Sequence, residues 1–148
     1  MTDEEYMKIA LQEAQEAYNN DEVPIGAIIV YNDGVLCKAY NKKEESNNSL
    51  MHAEMQVLDM AQKILHSKYL QECKMYVTIE PCAMCAGAII NARLGKLIYA
   101  AKEPKTGCCG SMYNLLEDNK FNHKVIQKSG VLEEEARKLM QDFFLMKR

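Results

Sequence analysis

Two short motifs constrain this chain more than any other feature. They are His52-Ala53-Glu54 and Pro81-Cys82-Ala83-Met84-Cys85, about 27 residues apart. One imidazole and two thiolates fill three corners of a tetrahedral zinc site and leave the fourth for water. A fold that uses both motifs must therefore bring two distant segments to one point. Helical geometry offers a way. With Cys82 opening a helix, Cys82 and Cys85 stand at i and i+3 on one face. Pro81 suits the first turn, where its missing N–H is not needed, and a helix N-terminus favours the thiolate form. If His52 and Glu54 open a second helix over His52–Leu65, two helix starts converge on the ion. Each motif alone is weak. A Cys-x-x-Cys pair equally fits a redox motif or half of a structural zinc site, and a lone His near a helix start is more often a cap or a surface residue. No second cysteine pair stands at the spacing that would close a structural site, and the adjacent Cys108 and Cys109 do not easily ligate one ion together.

The rest of the chain alternates between helix-like and strand-like patterns. Thr2 with Glu5 has the form of a capping box, and Met7, Ala10, Leu11, Ala14, Ala17 and Tyr18 follow at helical spacing. Gly26–Tyr31 and Val35–Tyr40 are apolar runs around Asn32-Asp33-Gly34, a hairpin signal. Met55, Leu58, Ala61 and Leu65 make His52–Leu65 a helix. Met75–Ile79 and Leu97–Ala101 are strand-like, and Cys82–Arg93 between them is a short apolar helix. Lys102–Gly110 is a loop, Ser111–Glu117 a short helix, Lys124–Gln127 a strand. Leu132–Met146 is a terminal helix whose apolar side carries Leu132, Ala136, Leu139, Met140, Phe143 and Phe144. This order predicts an α/β fold, a sheet with helices packed on its faces.

A length of 148 residues suits one domain, here 1–148. With 48% hydrophobic and 26% charged residues, disorder is excluded. No apolar run nears the ~20 residues that span a bilayer. The opening Met-Thr-Asp-Glu-Glu is acidic where a secretory signal needs positive charge. The expectation is a soluble cytoplasmic protein with no membrane partner, whose six cysteines are thiols. Charge is unevenly placed: residues 1–95 hold 8 basic and 14 acidic side chains, residues 96–148 hold 10 basic and 7 acidic. The basic excess lies in Lys96–Lys128. It is either a surface for phosphates or a solvated face.

An open metal position implies an activated water, and Glu54, two residues from His52, can reach that water without being a ligand. A carboxylate so placed takes a proton from water and passes it to a ring nitrogen and a leaving amine. His-x-Glu followed by Pro-Cys-x-x-Cys is the signature of zinc nucleobase deaminases, and the chain resembles them. The bland alternative, a non-catalytic zinc clamp, leaves Glu54 unexplained.

The resemblance extends over nearly the whole chain to the bacterial tRNA-specific adenosine deaminases, within the cytidine and deoxycytidylate deaminase superfamily. It is carried by Glu22-Val23-Pro24-Ile25-Gly26-Ala27, Asn41, the two metal motifs, Pro104-Lys105-Thr106-Gly107 with Gly110-Ser111, Asn122-His123, Gly130-Val131-Leu132, and Phe143-Phe144 before a basic end. The resemblance implies a three-layer α/β/α cytidine-deaminase-like fold, with a central mixed sheet of about five strands. It implies hydrolysis of the wobble adenosine of a tRNA anticodon loop to inosine with loss of ammonia, one Zn2+ per subunit, and a homodimer. By the same match Glu54 is catalytic, His52, Cys82 and Cys85 hold the metal, Asn41 bonds the purine, and the backbone near Ala53 and Glu80 borders the pocket. Lys105, Lys120, Lys124, Lys147 and Arg148 are candidates for phosphates, and Phe143, Phe144, Tyr113 or His123 for stacked bases. Each has a plainer reading: core packing for a Phe, a structural hydrogen bond for His123, turn chemistry for Asn41. The stretch Asn48-Ser49-Leu50-Met51 and the Cys108-Cys109 pair depart from the family pattern. Rival functions are a free-base or nucleotide deaminase acting on guanine or cytosine derivatives, and a zinc-holding RNA-binding protein without activity.

Overall fold

The computed structural model describes residues 1–147, so Arg148 lies outside the described residues. Thr2 caps helix α1 (Asp3–Asn19). Its hydroxyl accepts from the Glu5 N–H at 3.1 Å, and the Glu5 carboxylate accepts from the Thr2 N–H at 3.3 Å. Strands β1 (Gly26–Tyr31) and β2 (Gly34–Tyr40) form a hairpin through Asn32 and Asp33. Both have positive φ, 51° and 61°, the twist that a two-residue hairpin needs. There follow α2 (Ala53–Leu65), β3 (Lys74–Ile79), α3 (Ala83–Asn91), β4 (Lys96–Ala101), a 3-10 turn at Leu115–Glu117, β5 (Ile126–Ser129) and α4 (Glu133–Met146).

The sheet order is β2-β1-β3-β4-β5. β1 runs antiparallel to β2 and β3, and β3, β4 and β5 run parallel. Alternation along the three central strands divides the core in two. Ile28, Val30, Tyr76, Ile98 and Ala100 face one side with Tyr6, Met7 and Ala10 of α1 and Ala136 of α4. Ala27, Ile29, Met75, Val77, Leu97 and Tyr99 face the other with Val57 and Leu58 of α2 and Ile89 and Ile90 of α3. The result is the expected three layers around a five-stranded mixed sheet. The central strands are apolar on both faces because both are covered.

Some boundaries differ from the sequence reading. The last strand runs Ile126–Ser129, not Lys124–Gln127, because pairing with β4 sets its register from Lys96↔Ile126 to Tyr99↔Ser129. As an edge strand it carries Gln127, Lys128 and Ser129 and lacks an apolar signature. Ser111–Glu117 narrows to the 3-10 turn at Leu115–Glu117. His52 and Cys82 are the N-caps of α2 and α3 and not their first residues, and Pro81 stands before the cap. The chain thus stays extended through Pro81 and Cys82 before it coils.

Candidate active site

The site forms beyond the carboxyl end of β3, where an open α/β sheet commonly receives its ligands. β3 ends at Ile79, and Glu80-Pro81 leads into the cap of α3; the cap of α2 approaches from beside it. Both cap residues are extended, His52 with ψ 151° and Cys82 with ψ −179°, and neither side chain bonds its own helix end. They turn toward each other instead. His52 Nδ1 lies 3.8 Å from Cys82 Sγ and 3.5 Å from Cys85 Sγ. The three donor atoms all fall within 4.8 Å of one another and can hold one metal ion.

Their electrostatics interlock. Cys82 is pulled down to about 4, first by the Cys85 thiol donating to it, then by His52 and the Cys85 backbone N–H, against the cost of burial. Cys85 is pushed well up, because its proton is held against the Cys82 thiolate and because it is buried. His52 is raised by its hydrogen bond to Cys82, despite partial burial. The cluster thus favours the thiolate form of Cys82 beside the imidazole. Glu54, at the second position of α2, is 3% exposed. Burial raises its carboxyl to about 7, partly offset by its own backbone N–H and by His52. An acid that titrates near neutrality can both take and return a proton.

A pocket of about 160 Å³ opens over these groups, lined by Val23, Ile25, Asn41, Lys43, His52, Ala53 and Glu54. That is smaller than the ~300–1,000 Å³ of drug-sized sites, so it suits one small group. Asn41 Oδ1 accepts from the Lys43 N–H at 3.2 Å, the turn bond of a short polar side chain. Asn41 Nδ2 makes only a long 3.4 Å contact with Val23 O, so the amide keeps donor capacity for a guest.

Two buried carboxylates support the site, and the sequence reading assigned neither side chain a role. Glu80, 3% exposed, does not line the pocket. It accepts from the N–H groups of Glu103 (3.1 Å), Cys109 (3.0 Å) and Ser111 (3.0 Å) and from the Ser111 hydroxyl. It thereby fixes the 102–111 loop against the ligand-bearing segment, where the Cys108 N–H also donates to Pro81 O at 2.9 Å. Glu22, fully buried, accepts from the N–H groups of Glu44 (3.0 Å) and Glu45 (2.7 Å). The signal available in the sequence was an acid one or two residues ahead of a proline, Glu22-Val23-Pro24 and Glu80-Pro81.

The other candidates lie outside the pocket. Lys105, Lys120, Lys124 and Tyr113 are exposed. His123 Nε2 bonds Leu94 O at 2.8 Å, a structural contact. Phe143 is buried and packs edge-on against Tyr18 and Phe144, whereas Phe144 is 51% exposed. Both line a broader groove that meets the pocket at Val23. Lys147 stands over the Phe143 ring and pairs with Asp21, and Lys128 pairs with Asp3 at 2.8 Å. All six cysteines are free; Cys108 and Cys109 are buried in the core beside α3.

Known proteins resemble this chain in sequence and fold. The MafB19-like deaminase family model matches residues 1–148. The tRNA-specific adenosine deaminase of Bacillus subtilis (strain 168) is 46% identical over 142 residues, 96% of this chain and 88% of that protein. A solved chain from studies of A-to-I editing by tRNA:A34 deaminases superposes with a TM-score of 0.88 at 38% identity, covering 91% of this chain and 98% of that one. A guanine deaminase structure from Bacillus subtilis matches with a TM-score of 0.66 at 36% identity, over 69% of this chain and 66% of its own. Fold, donor set and these likenesses agree, and the chain belongs to the deaminase family that includes the tRNA-specific adenosine deaminases.

Proposed function

We propose that this chain hydrolyses adenosine to inosine at the wobble position of a tRNA anticodon loop, releasing ammonia, with residues 1–148 as one catalytic domain. The observation that carries the reading is Glu54, a buried acid beside three converging metal donors, in the lining of a pocket sized for a single small group. The 46% identity to a tRNA-specific adenosine deaminase supports the choice of substrate.

His52, Cys82 and Cys85 would hold one zinc ion per subunit. Tetrahedral zinc with Zn–S near 2.3 Å and Zn–N near 2.05 Å needs nitrogen–sulfur separations of ~3.6 Å. The distances of 3.8 and 3.5 Å from His52 Nδ1 match that separation. When bound, the ion supplies Lewis-acid activation of the attacking water. The chain's own residues do the rest. Glu54 takes a proton from that water, places it on N1 of the adenine, and carries the next to the departing amine, so that the ring gains oxygen and ammonia leaves. Asn41 Nδ2 donates to a ring acceptor, Val23 and Ile25 cover the ring faces, and the Ala53 backbone borders it. An unpaired loop nucleotide is cheap to extrude into such a pocket.

Phe144, exposed at the rim with Phe143 packed beneath it, offers a platform for a neighbouring base. Lys105, Lys120 and Lys124 are free to meet phosphates, and His123 serves the RNA indirectly by holding the segment that carries them. We further place the protein in the cytoplasm as a homodimer, on its likeness to the tRNA-specific adenosine deaminases; among the described residues no helix is long and apolar enough to cross a membrane.

The deciding experiment follows inosine from an anticodon stem-loop bearing adenosine at the wobble position, with guanine and cytidine as competitors and zinc measured on the same sample. The stem-loop should turn over fastest. Rapid loss of ammonia from guanine with an inert stem-loop would move the chain to the guanine deaminases. A zinc-loaded protein that deaminates none of them would make it a binding module.

A further inference from the structure

The segment after β2 is pinned in an unusual way. It departs from the family pattern a few residues further on, yet its start is held by a carboxylate with no solvent exposure. Glu22 spends both oxygens on the N–H groups of Glu44 and Glu45. Burying a carboxylate is costly unless it is bonded, and bonds to a charged acceptor are the stronger kind. The residue just before is fixed as well. The Lys43 N–H donates to Asn41 Oδ1 at 3.2 Å, and Lys43 O accepts from the Asn48 N–H at 3.1 Å. Residues 43–45 thus have a set backbone although their side chains are exposed.

The clamp also sorts charge. Of these three residues only Lys43 lines the base pocket, while Glu44 and Glu45 line the neighbouring groove together with Phe144 and the Asp21–Lys147 pair, which leaves the two glutamates as its uncompensated charges. A polyanion that delivers a base to the pocket meets a cation on one side of the rim and carboxylates on the other. Its backbone is steered along the Lys43 side, and the acidic groove is left to unpaired bases.

We propose that Lys43 is a specificity-determining residue whose ammonium meets the RNA backbone phosphate next to the adenosine in the pocket, and that Glu22 is the positioning residue that holds it there. The inference rests on the tRNA deamination reading and goes beyond it in naming the contact and its support.

The test measures KM, kcat and the salt dependence of stem-loop binding for the wild type, Lys43→Ala, Lys43→Arg and Glu22→Gln. Lys43→Ala should raise KM for the stem-loop about tenfold with kcat within a factor of two, and should shrink the slope of log K against log salt by about 0.7, one phosphate contact on a single strand. Lys43→Arg should restore both. Glu22→Gln opposes one amide N–H with another and should raise KM severalfold, with the same loss of slope. Lys43 is exposed, so its variants keep the test decisive even if Glu22→Gln does not fold. A Lys43→Ala enzyme with wild-type KM and salt slope, or one changed in kcat alone, overturns the inference while the deamination reading stands. A wild type that leaves the stem-loop untouched removes both.

Discussion

Glu54 sits out of water beside the cysteine and histidine donors, where the proposed proton transfer needs an acid that titrates near neutrality. Glu54→Gln keeps the volume and the donor triad but removes the shuttle. It should cut ammonia release by about 10²–10⁴-fold with zinc content unchanged, checked by a coupled ammonia assay beside metal analysis. A surviving rate would give the proton transfer to another group. Burial also leaves a thermodynamic trace. The carboxyl is raised from 4.5 to about 7, so the folded chain holds this proton more tightly than the unfolded chain does. In the metal-free protein that contribution to stability is whole below pH 4.5 and is lost as pH rises through 7, roughly 3 kcal/mol in all. Cys82, held low in the folded chain, contributes in the opposite sense over this range, so the trace of Glu54 is the difference: the urea midpoint of the wild type should decline with rising pH relative to that of Glu54→Gln. That His52, Cys82 and Cys85 converge with Glu54 beside them was legible in the sequence, because the proposed chemistry demands those residue types at those spacings. The side-chain roles of Glu22 and Glu80 were not, because their partners are backbone N–H groups of distant loops, which any residue supplies.

Among the elements, two close approaches decide where the helices and loops sit. At Gly26 a Cβ would lie 2.1 Å from Ala10 O and 2.5 Å from Ala14 N. β1 can therefore touch α1 only through glycine, and Gly26→Ala should push the helix off the sheet. The expected cost is about 3 kcal/mol or more, beyond ordinary overpacking because backbone cannot give way, read by denaturant unfolding. At Gly107 a Cβ would lie 2.4 Å from Glu80 Cδ and 2.6 Å from Glu103 O. Gly107→Ala should instead release the 102–111 loop, lowering activity on RNA more than it lowers the melting temperature. An equal loss in both would mean that the loop only stabilises. The first helix, the hairpin and the central strands could be read closely from pattern, since caps, turn residues and two-sided burial leave strong local marks. The last strand could not. Its position follows from pairing with β4, a long-range fact with no apolar alternation behind it, and the caps at His52 and Cys82 moved because backbone dihedrals, not residue type, decide where coiling starts.

For the molecule as a whole, three layers place two helix N-termini at one end of a mixed sheet, and the chain's only long basic segment follows in β4, β5 and the loops between them. RNA binding through that segment and the pocket rim should weaken steeply between 50 and 200 mM salt. Filter binding of the stem-loop that ignores ionic strength would make the lysines a solvated face. The fold class was legible because alternating helices and strands admit few packings, whereas the grooves around the pocket depend on loops that converge only once the sheet is built. Everything rests on one imidazole and two thiols meeting at a single ion with a position left open. Zinc-edge X-ray absorption of the zinc-replete protein tests this most directly. The account predicts one zinc per chain with two sulfur neighbours at ~2.3 Å and nitrogen or oxygen at ~2.0–2.1 Å completing the shell; four sulfurs, none, or no stoichiometric zinc would contradict it.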